Sequence, residues 1–491
     1  MSIFIIIFIF KNLIIIFFNF YLVDFFKKIN NRVSSRVFSS FLNQEYKFFL
    51  RESSKEFFQK IIKDLDYINI FFISLVTFVS ELLFFFIISI LLIYISFKIF
   101  LFVFFCFSIF IFLYVSIFKR RIKYWADQSR FSSLNLHNLT IEGFVGFKDI
   151  IIYDLKNNLN IKFNENVNKL NHFLARMTFL NNVQRYWLEI VGVFIMCSAL
   201  AYLILFKITI LELIPTLGLL VVLIFRVLTS LNRVIIHFQN INFYYPSFQA
   251  IVNENKNFES LKINKVNKNF NFENYIEFSK VSFGYNDTKN NLSNVNLKIY
   301  KNQCVGIFGN NGSGKSTFLN LISGLLKSSL GKITIDGKYD LYENRVSWFK
   351  KISYVQQDIF LLDGSIQYNI TLQNKFINEK SKIKKLNQLI NLEEYFSKLP
   401  NGLDTLVGRN GINLSGGQKQ IISIARAIYK DSDILLFDEP TSAMDNTNSA
   451  FIKDLIFKLK NKKTIIVITH DKILFTNCFD FIIKLENGFI L

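Results

Sequence analysis

Between Ile68 and Phe118 the chain is apolar almost without interruption, and its only charges there are Glu81 and Lys98. No other feature limits the possible folds as sharply. A helix needs only about 20 such residues to cross a bilayer, so this block holds two spans. Lys98, in ISFKIF, marks the turn between them. Five apolar stretches precede residue 250, near 2–23, 68–95, 97–118, 187–206 and 208–230, and Lys207 in LFKIT divides the last pair. The composition agrees: 51% of the 491 residues are hydrophobic, 59 are Phe, only 4 are Pro, and the mean hydropathy is +0.31. Such a chain is built around membrane spans, with two or three domains in all.

Charge orients the spans. Segment 24–67 carries nine Lys or Arg, and segment 119–186 carries eleven, beginning with KRRIK at 119–123. The hairpin turns carry one lysine each. Basic loops stay on the cytoplasmic side, so the two long loops and everything after residue 231 are expected there, in a protein of the cell inner (plasma) membrane. The same rule places Met1 outside. An odd number of spans suggests that a first helix is missing. A signal peptide over 1–23 would need a basic leader and a small-residue cleavage site, and neither is present. Within the loops, apolar residues of 45–67 recur at helical spacing, and 134–186 does likewise around a break at Gly143 and Gly146. Two helical hairpins are therefore expected to project from the membrane. The formal net charge of +20 raises nucleic acid as a partner. The lysines, however, are interleaved with Asn and Ile throughout, as an AT-rich genome would also produce, and no nucleic-acid partner is expected. Cys106, Cys197, Cys304 and Cys478 lie far apart, with neither disulfide-framework nor zinc-ligand spacing.

The rest of the chain reads as soluble. Residues 249–272 are polar and read as a linker between a transmembrane domain, 1–248, and a second domain, 273–491. In the second domain, apolar β-type runs alternate with helical patterns, as in a parallel α/β sheet. GNNGSGKST at 309–317 follows the strand CVGIF and opens a helical run, so it fits the phosphate-binding loop G-x-x-x-x-G-K-[ST]. Gly309, Asn310, Asn311, Gly312, Ser313 and Gly314 turn backbone N–H groups toward phosphate oxygens. Lys315 reaches the β- and γ-phosphates, Ser316 ligates Mg²⁺, and Thr317 continues into the helix, whose positive end faces the same anions. The strand ILLFDE, 434–439, ends in two carboxylates. Asp438 is placed to hold the Mg²⁺ shell and Glu439 to polarise an attacking water. ATP and Mg²⁺ are the expected cofactors.

LSGGQ at 414–418, followed by KQIISIARAIY, is similar to the signature of ATP-binding cassette proteins. With it the chain resembles an ABC exporter half-transporter, membrane domain and cassette on one polypeptide. The resemblance implies a multidomain fold: an all-α transmembrane domain of the type 1 exporter kind, with about five helices and the first missing, then an α/β P-loop NTPase cassette. It implies that Tyr285 stacks on adenine, that Gln357 in YVQQD senses Mg²⁺, that Asp445 in SAMD lies in the D-loop, and that His470 in VITHD contacts the γ-phosphate. Leu414, Ser415, Gly416, Gly417 and Gln418 would face the phosphates held by a second cassette, so the working unit would be a dimer, expected to be a homodimer. Catalysis would rest on Glu439, His470, Gln357 and Lys315.

The membrane half resembles exporters more loosely, through GFVGFKDIIIYDLKNN at 143–158. RYWLE at 185–189 and SLNR at 230–233 are similar to lipid-linked oligosaccharide flippases. Glu81 and Arg226 fall within spans, where charge is costly and usually functional, and are candidates for a polar cavity. VGRNG at 407–411 departs from the family, with Arg409-Asn410 where Glu-Arg is usual, so coupling to the hairpins is expected to differ. The function implied is ATP-driven export or flipping of an amphipathic substrate: lipid, lipid-linked sugar, peptide or drug. The alternatives are a non-pumping regulatory or degenerate half, which the intact Glu439 argues against, and one half of a heterodimeric transporter.

Overall fold

The computed structural model describes residues 2–51, 63–95, 97–205, 210–260, 270–285, 290–372, 380–408, 411–442, 444–471 and 478–491. Lys207, Arg409-Asn410 and much of 45–67 lie outside them. The chain divides into two compact units, residues 1–44 with 48–262, and 45–47 with 263–491.

The first unit is helical. Its elements are α1 (Ser2–Leu42), α2 (Tyr46–Arg51) from Phe48 onward, α3 (Leu65–Ile95), α4 (Phe97–Val145), α5 (Phe147–Ile152), α6 (Lys156–Leu205) and α7 (Ile210–Ser260). Four stretches are long and apolar enough to cross a membrane among the described residues: Ile5–Leu42, Leu65–Tyr94, Phe100–Val145 and Val221–Asn253. The fourth overlaps the expected 208–230, and α7 runs on past it to Ser260. That helix also runs through 249–260, part of the stretch expected to be a linker. NENKNFES is polar, but it contains neither Gly nor Pro, and polarity alone does not end a helix. The expected break near Gly143 and Gly146 is present. It isolates α5, in which no residue is buried, and Asp154 turns the chain into α6 with φ +52°.

Phe107, Ile122, Leu188 and Ile195 are buried where α4, α6 and α7 meet. A polar layer interrupts this core. Tyr114, Gln184 and Gln239 hydrogen-bond one another across the three helices, with Gln239 Nε2 donating to Gln184 Oε1 at 2.8 Å. Nearby, Asp64 is wholly buried and receives Arg130 Nη2 at 2.9 Å and Ser247 Oγ at 2.8 Å. A buried carboxylate is tolerable only with such partners, and these tie together the approach to α3, α4 and α7.

Among the described residues the second unit holds two sheets. The strands are β1 (Tyr275–Phe283), β2 (Leu292–Tyr300), β3 (Cys304–Gly309), β4 (Leu330–Ile335), β5 (Tyr339–Asp340), β6 (Ile352–Val355), β7 (Ile434–Asp438), β8 (Thr464–Ile468), β9 (Phe481–Glu486) and β10 (Phe489–Ile490). The helices are α8 (Lys315–Ile322), α9 (Arg345–Trp348), α10 (Ile366–Thr371), α11 (Lys380–Ile390), α12 (Leu392–Phe396), α13 (Gly416–Tyr429) and α14 (Asn446–Leu459). One sheet is antiparallel, in the order β2-β1-β4-β5. The other runs β10-β9-β3-β8-β7-β6 and is parallel from β9 to β6. A parallel sheet is covered on both faces, so its strands are apolar throughout. Accordingly ILLFD and TIIVI are buried at every position. The helix α8 packs beneath the antiparallel sheet, with Phe318 stacked on Phe278 at 4.8 Å.

Candidate functional site

Because β3, β6, β7 and β8 are parallel, their carboxyl ends open on the same edge of the sheet, where open α/β folds bind ligands. Gly309 ends β3, Gln357 follows β6, Asp438 ends β7 and His470 follows β8. Four residues scattered over 162 positions of sequence meet there.

The loop 309–314 has its shape for steric reasons. Gly309 pairs with Leu485 of β9, and a Cβ there would lie 2.3 Å from the Leu485 carbonyl oxygen and 2.5 Å from Ser313 Oγ. Gly314 adopts φ +102° and lies against the Asn291 carbonyl. Lys315 is buried and curls back, donating from Nζ to the carbonyls of Gly309 at 2.8 Å and Asn310 at 3.1 Å. Asn310, Asn311, Gly312 and Ser316 are exposed at the rim, while Thr317 is buried beneath. Ser313 Oγ is buried with no partner among the described residues. An orphaned hydroxyl inside a ring of backbone N–H groups suits a bound oxyanion.

The carboxylates come next. Asp438 is buried, which pushes its pKa up. Hydrogen bonds from the Ser316 and Tyr354 hydroxyls pull it back, neighbouring Glu439 pushes it up again, and Lys315 opposes. Tyr354 donates to Asp438 Oδ2 at 3.3 Å, and burial pushes the phenol pKa far up. The Glu439 carboxylate is held from both sides, by Gln357 Nε2 at 2.8 Å on Oε2 and by His470 Nε2 at 3.0 Å on Oε1. Glu439 adopts φ +50°, rare for a residue other than Gly, and its N–H is tied to the Ile468 carbonyl at 3.0 Å. Strain of this kind, about 1–3 kcal/mol, persists where the surroundings dictate it and is commonest at functional sites. A recess of about 160 Å³ opens between Gly309, Asn310, Thr469, His470, Lys484 and Glu486. Ser316, Asp438 and Gln357 offer hydroxyl, carboxylate and amide oxygen, a hard donor set that fits Mg²⁺ shared with a phosphate ligand.

The remaining expected residues do not join this cluster. Tyr285 is half-buried and meets Phe283 edge-to-face at 5.0 Å. Ser415 caps α13, accepting from Gln418 N–H at 3.2 Å while Gln418 Oε1 accepts from Ser415 N–H at 2.9 Å. This reciprocal cap aims the Gly416 and Gly417 amides outward, and Leu414 is buried behind them. None of the hydrogen bonds among the described residues links 414–418 to 309–317. Asp445 caps α14, and the Asn448 and Thr447 donors there lower its pKa. In the first unit Glu81 is paired with Arg233, and Arg226 is exposed on α7.

Two features escaped the sequence. Tyr354 is the first: alternation along ISYV fixes the sheet face it takes, not its meeting with Asp438 at the end of β7. The second is β9, whose Leu485 carbonyl backs Gly309, and whose turn places Gly488 N–H 3.2 Å from the Ser313 carbonyl. Nothing local signals either contact.

A family model described as ABC transporter matches residues 292–442. Relatives include an uncharacterized ABC transporter ATP-binding protein of Bacillus subtilis, 39% identical over 196 residues, 40% of this chain and 34% of that one. Another is an ATP-dependent lipid A-core flippase of Pasteurella multocida, 35% identical over 223 residues, 45% of this chain and 38% of that one. The chain thus spans little more than a third of the length of these curated relatives. A solved bacterial Atm1-family ABC exporter with ATP bound superposes with a TM-score of 0.80 at 20% identity, over 95% of this chain and 81% of that one.

Proposed function

We propose that this chain, an exporter-type half-transporter with an ABC cassette, hydrolyses ATP and uses the energy to move an amphipathic substrate across a membrane as one half of a dimer. The observation that carries the reading is the Glu439 carboxylate, fixed between Gln357 and His470 at the mouth of the glycine loop. A solvated structural carboxylate needs no such clamp.

The chemistry follows from the residues. The loop amides and Ser313 Oγ receive the phosphates, and Lys315 exchanges its two carbonyl partners for phosphate oxygens. Ser316, Asp438 and Gln357 would hold Mg²⁺, which neutralises phosphate charge when bound. Tyr354 steadies Asp438 through its hydroxyl on Oδ2. Glu439 accepts a proton from the attacking water, and His470 keeps that carboxylate aimed while facing the γ-phosphate. Positioned general bases of this kind contribute about 10²–10⁴-fold. Tyr285 offers a face for adenine, where stacking contributes roughly 1–3 kcal/mol.

Dimerisation is supported by what the chain does not do alone. The capped start of α13, with Ser415, Gly416 and Gly417, has no bond to its own glycine loop, and its outward amides suit the phosphates of a second cassette. The membrane spans and the flippase relatives favour a lipid-like substrate, with lipid-linked sugar first, and a homodimer in the inner (plasma) membrane.

The test is ATP hydrolysis by the full chain in lipid bilayers, with Glu439→Gln alongside. Loss of turnover with ATP still bound is expected. Hydrolysis that survives the substitution would overturn the reading.

A further inference from the structure

We propose that the recess beside the glycine loop is a transit site for the inorganic phosphate that hydrolysis releases, with the Lys484 ammonium as its anchor. This rests on the hydrolysis reading above and adds the residues that take its anionic product away.

The need for such a site follows from charge. As the water oxygen bonds to the γ-phosphorus, the bond from that phosphorus to the β–γ bridging oxygen breaks, and the water proton passes to Glu439. ADP keeps the loop amides and Lys315. The freed phosphate is largely a dianion at neutral pH, and it is left beside Glu439 and Asp438. Once Glu439 ionises again, like charges so close together repel strongly where water is excluded. His470, which donates to Glu439 Oε1 at 3.0 Å, also lines the recess of about 160 Å³. The cavity therefore begins one side chain away from the catalytic carboxylate.

The recess offers donors and a cation held loosely. Asn310, Thr469 and Lys484 line it from the ends of β3, β8 and β9. Thr469 is 3% exposed, and its hydroxyl accepts the Asp471 N–H at 3.1 Å while its own proton has no acceptor among the described residues. Lys484 is the one Lys or Arg among the described lining residues. It shares the exposed face of β9 with Glu486, at i and i+2. Their ion pair is long, at 3.5 Å, and the side chains are 58% and 50% exposed. A pair of that kind contributes little, so Lys484 is free to exchange Glu486 for an incoming oxyanion. Its ammonium is a compact charge with three donors on a flexible stem, suited to passing an anion on to solvent. Glu486 then competes for the same ammonium, and the phosphate passes through without being trapped.

Two measurements test this, both on the full chain in bilayer discs. In the first, a non-hydrolysable ATP analogue fills the loop, and binding of radiolabelled inorganic phosphate is read by equilibrium dialysis. Lys484→Gln is expected to weaken that binding about tenfold, the worth of one hydrogen bond to a charged group. Glu486→Gln should tighten it about threefold by removing a weak competitor, and Lys484→Arg should preserve it. In the second, a single turnover is followed by rapid quench for cleavage and by a fluorescent phosphate sensor for release. Lys484→Gln should leave the cleavage step as fast as before and slow release about three- to tenfold, making product departure the limiting step. Phosphate binding indifferent to both substitutions overturns the proposal. So does cleavage that slows together with release, because Lys484 would then act in the chemistry. Loss of binding with release still prompt would assign the recess to phosphate from the medium and overturn the exit role. Unchanged binding of the analogue shows that each variant is folded, and if Lys484→Gln fails that control, Glu486→Gln alone decides. Absence of Glu439-dependent hydrolysis would remove the transport reading, while the dialysis would still decide the anion site. Hydrolysis with no phosphate bound in dialysis would remove only the site.

Discussion

The glycine loop allows steric and conformational costs to be measured separately, one residue at a time. At Gly309 the backbone is not left-handed, but an added Cβ would sit 2.3 Å from the Leu485 carbonyl and 2.5 Å from Ser313 Oγ. The first of these atoms belongs to the ladder that holds β3 to β9, so it cannot swing away as a side-chain tip would. Overpacking costs about 1–3 kcal/mol, and opening a ladder bond adds about 1 kcal/mol. Gly309→Ala should therefore cost about 3 kcal/mol, a factor above 100 in nucleotide affinity if the loop must keep its shape to bind. Gly312 is the complementary case. It has φ +79° with nothing within 4 Å of its Cβ position, so alanine there bears only the left-handed penalty of about 1–2 kcal/mol, roughly 5- to 30-fold. Gly314, with φ +102° and the Asn291 carbonyl 2.6 Å away, bears both and should be the most severe. The assay is equilibrium binding of a fluorescent ATP analogue to the full chain in bilayer discs, with unfolding midpoints taken in parallel. If Gly309→Ala proves as mild as Gly312→Ala, β9 does not back the loop, and the steric account of its shape is wrong.

Other predictions follow from single contacts. His470→Ala should slow single-turnover hydrolysis about 10- to 100-fold, the worth of a hydrogen bond to a charged group, yet add almost nothing in a Glu439→Gln background; additive losses would show that the two residues act independently. Arg130→Met leaves the buried Asp64 carboxylate uncompensated and should cost about 3–5 kcal/mol in thermal unfolding, while Asp64→Leu with Arg130→Met should recover most of it. Burial raises the Asp480 pKa, but Lys460 Nζ at 2.6 Å and the Cys304 N–H bring it below the usual carboxylate value. Its contribution is then complete above the ordinary pKa and is lost as pH falls through the lowered one. Asp480→Asn should reduce stability at neutral pH and flatten the acid limb of the unfolding midpoint measured from pH 7 down to about 3.

Features that depend on near neighbours were readable in the chain. Whether a helix can cross hydrocarbon is a matter of about 20 consecutive residues, so the block from Ile68 to Phe118 declared two spans by itself. The glycine loop was equally plain, because Gly adopts the positive φ of 312 and 314 without penalty, and a strand and a helix flank it in sequence. The end of α7 was not plain: polar Asn and Lys in 249–260 read as linker, yet they form a helix as readily as a loop when nothing breaks the ladder.

The chain by itself therefore determined that it crosses a membrane and that it folds a phosphate-binding loop, since both are written in residues that are adjacent or nearly so. The tertiary structure alone decided which side chains complete the sites. Strand order set Tyr354 against Asp438, 84 positions away, and the Leu485 carbonyl behind Gly309. Helix packing joined Arg233 to Glu81, 152 positions away. Such pairs hold their geometry only because a close-packed sheet or bundle leaves each side chain one place to go, and periodicity along the chain carries no record of which distant element will be the neighbour.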